Sequence, residues 1–136
     1  MKSGAQVYVK GSVEAVELYK KAFHLTPDPG MTFLNDDGSY EHVTLLSDGG
    51  FFLCVAEDAA GLCSMDIAGG KRPVMTFNVN GLGTREVVDH AYAVLSAEAR
   101  VNESPDGPDI AYWDASGRAY SFSLLDKFGV HWYVEV

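Results

Sequence analysis

Residues 124–135 read LLDKFGVHWYVE, and residues 45–57 read LLSDGGFFLCVAE. Each places two leucines before an aspartate and a glycine, then a strand-like run that closes on a glutamate. The likeness extends upstream. VYVKGSVEAVELY, starting at Val7, and FNVNGLGTREVVDHA, starting at Phe77, both run from a strand ending in Val-x-Gly into a helix. A degenerate repeat of this length predicts two copies of one supersecondary unit. In each copy a strand and a helix precede the remaining strands, a βαβββ module. Neither module buries both its helix and its sheet alone, so the two are expected to pack as one domain over residues 1–136.

Working outward, Val7 and Val9 alternate with Gln6 and Tyr8, the pattern of a half-buried strand. Ser12 stands where an N-cap belongs, with Glu14 in the first turn. Val16, Tyr19 and Phe23 make the apolar stripe of the helix, which Pro27 and Pro29 prevent from continuing. Strands are predicted over 31–34, 40–46 and 51–56, with Asp36-Asp37-Gly38 and Asp48-Gly49-Gly50 as turns. Module one thus covers about 1–58, and the polar, glycine-containing stretch 59–72 reads as a linker. Module two, about 73–136, opens with a strand over 74–79. A helix capped by Thr84 comes next, its apolar face built from Val87, Val88, Ala91, Val94 and Leu95. Strands over 100–103, 110–114, 120–124 and 130–136 complete it.

The 136 residues suit one core, and 47% hydrophobic with 21% charged residues is ordinary globular composition. A formal net charge of −9 repels phosphate backbones and anionic membrane surfaces, so neither is an expected partner. No apolar run reaches the length of a membrane span, and no secretory signal is read at Met1-Lys2-Ser3-Gly4. Cys54 and Cys63 match no zinc or redox spacing, which fits a cytoplasmic protein with reduced thiols.

Three stretches, AVELYKKAF (15–23), YEHVTLL (40–46) and DKFGVHWYV (126–134), resemble the vicinal-oxygen-chelate superfamily. This is the fold of glyoxalase I, bleomycin-resistance and fosfomycin-resistance proteins, and the resemblance is to its PhnB-like branch. It implies an α+β fold: two βαβββ modules paired around a curved mixed β-sheet cavity, with the helices on the outer face. It also implies homodimerisation. His24 departs from the glycine usual after the helix, yet histidine tolerates a left-handed cap. Fold alone does not fix activity, because this superfamily hosts isomerases, dioxygenases, thiol transferases and binding proteins.

In metal-dependent relatives each module supplies one ligand from its first strand and a glutamate from its last. By the family's spacing those positions fall here on Gly4, Cys54, Val74 and Tyr133. Glycine and valine have no donor, and a thiolate with a phenol makes a poor divalent site. No metal and no other cofactor is therefore expected. A strand slip of two residues would bring Gln6, Thr76 and Glu135 forward instead.

Strand parity then sorts the side chains. Gln6, Tyr8, Phe52, Cys54, Thr76, Asn78, His131, Tyr133 and Glu135 share the cavity face. Val7, Val9, Phe51, Leu53, Val55, Met75, Phe77, Val79, Val130, Trp132 and Val134 go to the helix side. Tyr8, His42, Cys54, Thr76, Trp113, His131 and Tyr133 are the candidate ligand-binding residues, in an aromatic pocket with a few polar groups. His42 and His131 suit a base or a hydrogen-bond donor, though half-buried strand histidines satisfied by backbone are the commoner case. Glu135 and His131 lie four residues apart on one strand, about 13 Å, too far to pair directly. The expected function is binding of a small hydrophobic or aromatic molecule without a metal. A glyoxalase-type lyase, isomerase or transferase with an atypical site is the alternative.

Overall fold

A computed structural model describes residues 1, 3–59, 75–111 and 119–136. The chain forms two compact units, Met1–Ser64 and Met65–Val136. Of the expected linker, everything past Ala59 lies outside the described residues, as do Val74 and Trp113.

Module one contains β1 (Gln6–Val9), α1 (Ser12–Phe23), β2 (Thr26–Leu34), β3 (Tyr40–Ser47) and β4 (Gly50–Glu57). Its sheet runs β1-β4-β3-β2, with β1 parallel to β4 and the other pairs antiparallel. Val7, Val9, Val43, Leu45, Leu53 and Val55 are buried on one face, together with Ala15, Val16 and Tyr19 of α1. Full burial of a side chain of this size contributes roughly 1.5–3 kcal/mol, so this layer carries the module.

Three local expectations are corrected. Ser12 is not the cap: Gly11 is, in the left-handed region at φ 89°, and no side chain of its own helix caps it. Glu57, at the end of β4, accepts from the amides of Gly11 (2.9 Å) and Ser12 (2.7 Å). The Ser12 hydroxyl instead accepts from the Tyr40 amide at 2.9 Å, tying α1 to β3. Second, β2 begins at Thr26 rather than at 31, despite its two prolines. It lies at the sheet edge, and its register with β3 breaks between Pro27 and Thr32. Edge strands and bulges are where a missing N–H is tolerated. Third, a register shift between Leu45 and Leu46 exchanges the two phenylalanines of β4. Phe51, expected on the helix side, pairs with Leu46 and is 49% exposed. Phe52, expected at the cavity, packs tilted against Phe23 of α1, with ring centroids 5.3 Å apart. One extra residue in a strand reverses the parity of every residue beyond it, and an alternation count does not see that.

His24 adopts the left-handed cap at φ 54°. Asp48 and Gly49 both have positive φ, the pairing that closes a two-residue hairpin between Ser47 and Gly50.

Module two contains β5 (Phe77–Val79), α2 (Arg85–Ser96), β6 (Val101–Asn102), β7 (Asp109–Ala111), β8 (Ala119–Leu125) and β9 (His131–Glu135). Its order is β5-β9-β8-β6, and β7 also pairs with β8. β5 is parallel to β9, as β1 is to β4. Trp132, Phe122, Leu124 and Val134 are buried with Val88, Ala91 and Leu95 of α2. Tyr92 meets Phe122 edge-on at 5.3 Å. Thr84 holds the extended N-cap position of α2 but makes no side-chain capping bond to its backbone.

The DKFGVHW signature is structural. Asp126 is fully buried, and its Oδ1 accepts from the amides of Phe128 (2.8 Å) and Val130 (2.9 Å). Its Oδ2 accepts from Trp132 Nε1 at 2.9 Å. Gly129, at φ 85°, closes the turn. One carboxylate therefore fixes both the turn and the indole beneath it, since a buried charge persists only when its lone pairs are met.

Candidate functional site

Away from α1, module one presents a row of hydrogen-bonded side chains across three strands. Gln6 and Cys54 are partners across β1 and β4, and Thr44 and Cys54 across β4 and β3. Gln6 Oε1 lies 2.8 Å from His42 Nδ1, His42 Nε2 lies 3.1 Å from Thr44 Oγ1, and Thr44 Oγ1 lies 3.4 Å from Cys54 Sγ. Gln6 Oε1 accepts only, so His42 Nδ1 carries a proton, and in the neutral ring Nε2 accepts from Thr44. The thiol of Cys54 then donates to the Thr44 oxygen. His42 is thus satisfied by side chains, not by backbone.

Around this row stand exposed aromatic rings. Phe33 pairs with His42 in register, and the two rings are 6.3 Å apart. Tyr8 shares the parity of Gln6 and is 52% exposed, and Phe33 is 49% exposed. Phe51 sits beside Gly4, where a Cβ would come within 2.8 Å of its ring. Glycine at that position leaves room for the phenyl group.

Module two carries a second row. Thr76 Oγ1 lies 2.8 Å from His131 Nδ1, and His131 Nε2 lies 2.8 Å from Glu103 Oε2. Ser123 donates to the same Glu103 oxygen at 2.7 Å. Tyr133 donates to Glu135 at 2.9 Å. Glu103 was not among the sequence candidates. Its amide bonds the Ser123 carbonyl, which puts it beside Ser123 in the sheet, but only a known register between β6 and β8 reveals this. An open pocket of about 200 Å³ is lined by Ser104, Asp109, Ile110, Ser121, Phe122, Ser123 and Tyr133. It is richer in hydroxyls than the aromatic pocket expected from the sequence.

The candidates therefore fall into two groups. Tyr8, His42 and Cys54 come together in module one, and Thr76, His131 and Tyr133 in module two. Trp113 lies outside the described residues.

Of the positions expected by spacing to hold a divalent ion, those among the described residues do not fit one. Gly4 has no donor, the Cys54 thiol is bonded to Thr44, and the Tyr133 hydroxyl is bonded to Glu135. Of the two-residue slip alternatives, Gln6 and Thr76 are each bonded to a histidine, and Glu135 accepts from Tyr133. Among the described residues, no three His, Cys, Asp or Glu side chains are grouped to hold an ion.

The two βαβββ modules, each with its parallel first and last strands and its helix over one sheet face, have the fold of the vicinal-oxygen-chelate superfamily. The chain is similar in structure to the PhnB protein from Bacillus cereus, with a TM-score of 0.67, 19% identity, and 99% of this chain and 98% of that one covered. It is also similar to a glyoxalase/bleomycin resistance protein from Albidiferax ferrireducens T118, with a TM-score of 0.64, 16% identity and coverage of 99% and 98%. A fosfomycin resistance protein from Listeria monocytogenes, complexed with Mn(II) and a sulfate ion, matches with a TM-score of 0.56, 11% identity and coverage of 100% and 91%. No family model matches the sequence, and no curated protein matches it.

No helix among the described residues is long and apolar enough to cross a membrane.

Proposed function

We propose that this chain is a PhnB-like binding protein that holds a small molecule with an aromatic body on the helix-free sheet face of module one, without a metal. The observation that carries this is the set of half-exposed rings, Tyr8, Phe33 and Phe51, standing around the Gln6–His42–Thr44–Cys54 row. Apolar rings with a few fixed polar groups are the usual chemistry of a small-molecule site. The row is self-satisfied, so it orients a ligand through the remaining lone pairs and through stacking rather than through charge. The acidic chain favours a neutral or cationic ligand over an anionic one.

Thermal-shift screening of flat aromatic compounds, neutral and cationic, tests the reading. A ligand at a hundred times its Kd stabilises the native state by about 2.7 kcal/mol, a shift of several degrees. A Phe33→Ala variant should lose that shift while melting normally without ligand. A panel in which nothing shifts, or in which Phe33→Ala responds like the parent, removes the proposal. A stoichiometric divalent ion in purified protein would overturn its metal-free part.

A further inference from the structure

Module two holds a constellation that ligand binding in module one does not use. Glu103 is a carboxylate and only accepts, so the proton between Glu103 Oε2 and His131 Nε2 belongs to the imidazole. When the ring is neutral its Nδ1 is bare, and the Thr76 hydroxyl at 2.8 Å donates to it. His131 is only 5% exposed, with one nitrogen held by Glu103 and the other by Thr76. A substrate therefore reaches this base through the Thr76 oxygen. An alcohol bonded to an imidazole whose other nitrogen is held by a carboxylate is the arrangement that activates an oxygen nucleophile.

It is anchored at the ends of β5, β6 and β9. Thr76 directly precedes β5, whose Phe77 is in register with Trp132, and His131 opens β9 opposite Leu125. Ser123, on β8, donates to the Glu103 oxygen and also lines the open pocket. Val101, partner of Leu125 across β6 and β8, adds an exposed apolar side chain beside the same row.

We propose that Thr76, His131 and Glu103 perform acyl transfer from a small activated ester, with Thr76 as nucleophile, His131 as general base and Glu103 as the positioning residue. Thr76 Oγ1 forms a bond to the ester carbonyl carbon as its proton passes to His131 Nδ1. The tetrahedral adduct collapses, the carbon–oxygen bond to the leaving alcohol breaks, and that alcohol takes the proton from Nδ1. Water then attacks the acyl-threonine by the same route, giving a carboxylic acid and restoring the Thr76 hydroxyl. Ester and water are consumed, acid and alcohol are formed, and no other reactant is required. The chemistry lies wholly within module two and stands apart from ligand binding in module one.

The test uses the full chain with 4-nitrophenyl acetate. The expected result is release of 4-nitrophenolate with one acetyl group trapped on the peptide containing Thr76. Thr76→Ala should lower the rate by at least about 100-fold and remove that acetylation, and Thr76→Ser should keep both. Glu103→Gln, in which an amide group can face Nε2 and reverse the tautomer, should lower the rate and alter its pH profile. Melting temperatures identify any variant that fails to fold, and Thr76→Ser supplies a conservative control. Acetylation confined to lysine or tyrosine, or a folded Thr76→Ala variant with the parent rate, overturns the assignment.

Discussion

Across β2 and β3, Phe33 is paired with His42; across β7 and β8, Asp109 is paired with Ser121. These two pairs hold equivalent places in the two modules. Leu45 faces Leu53 as Leu124 faces Trp132, and Gln6 faces Cys54 as Asn78 faces Tyr133. With the frames aligned, module one carries an aromatic ring and an imidazole where module two carries a carboxylate and a hydroxyl. The strand bearing the first residue of each pair is also broken at a matching point. β2 leaves register at 28–31, whereas module two breaks fully over 103–108, leaving β6 and β7 as separate strands on β8. The longer break belongs to the module with the open pocket, and Ser104 from that break is part of its lining. Duplicated cores have kept the same sheet, and divergence is concentrated on the open face and at one edge.

The hairpin turns offer the sharpest way to break this comparison. Asp126 is buried and accepts three hydrogen bonds, while Asp48 in the matching turn is exposed and only supplies a left-handed residue. Asp126→Asn puts an amide NH₂ or a single carbonyl where two acceptor oxygens are required, so one N–H donor is left facing another. The expected loss is about 2–3 kcal/mol in urea unfolding. Asp48→Asn keeps a residue that accepts positive φ, and should change stability by no more than about 0.5 kcal/mol. Equal losses at the two positions would show that the turns do not differ in this way.

The helix starts give the next effect. α1 begins under the Glu57 carboxylate from the far end of β4, whereas α2 has only Thr84 and the acidic first-turn residue Glu86. Burial disfavours ionisation of Glu57, but bonds from the Ser12 hydroxyl and the Gly11 and Ser12 amides outweigh it. The carboxyl is held below its ordinary value of 4.5. A depressed folded-state pKa means that the contribution is complete above the unfolded value and is lost as pH falls through the folded one. Glu57→Gln should therefore cost about 1 kcal/mol at neutral pH and flatten the acid limb of the stability profile below pH 4.5. An unchanged acid limb would show that Glu57 does not cap α1 in solution.

These turns and caps mark how far the sequence could be read. The repeat at 45–57 and 124–135 led directly to the two modules, because leucines, turn glycines and alternating strands encode them locally. Trp132 and Val134 fell on the helix side by parity alone. Parity failed at Phe51 and Phe52, where a bulge depends on pairing with β3 rather than on local pattern. The cap from Glu57 to Gly11 and the bond from Glu103 to His131 escaped for a related reason. Each joins residues far apart in sequence, and neither spacing nor residue type announces the meeting. His42 and His131 were visible as candidates, but their partners Gln6, Thr44 and Glu103 required the register of the sheets.

A smaller loss than at Asp126, and the change that most directly sharpens the contrast between the two open faces, comes from exchanging their equivalent residues. Phe33→Asp gives module one the side chain that module two has at Asp109. Phe33 is half exposed on an edge strand, so little packing is lost and unfolding should shift by about 0.5–1 kcal/mol. The carboxylate would stand beside His42 in place of a ring, removing the stacking surface and adding an unneeded charge. Affinity for an aromatic ligand, read by calorimetry, should then fall at least about tenfold, the equivalent of 1.4 kcal/mol. The reverse change, Asp109→Phe, should leave that affinity untouched, because it alters only module two. If Asp109→Phe weakens the aromatic ligand as much as Phe33→Asp does, the ligand is not held by module one, and the division of labour between the two sheet faces is wrong.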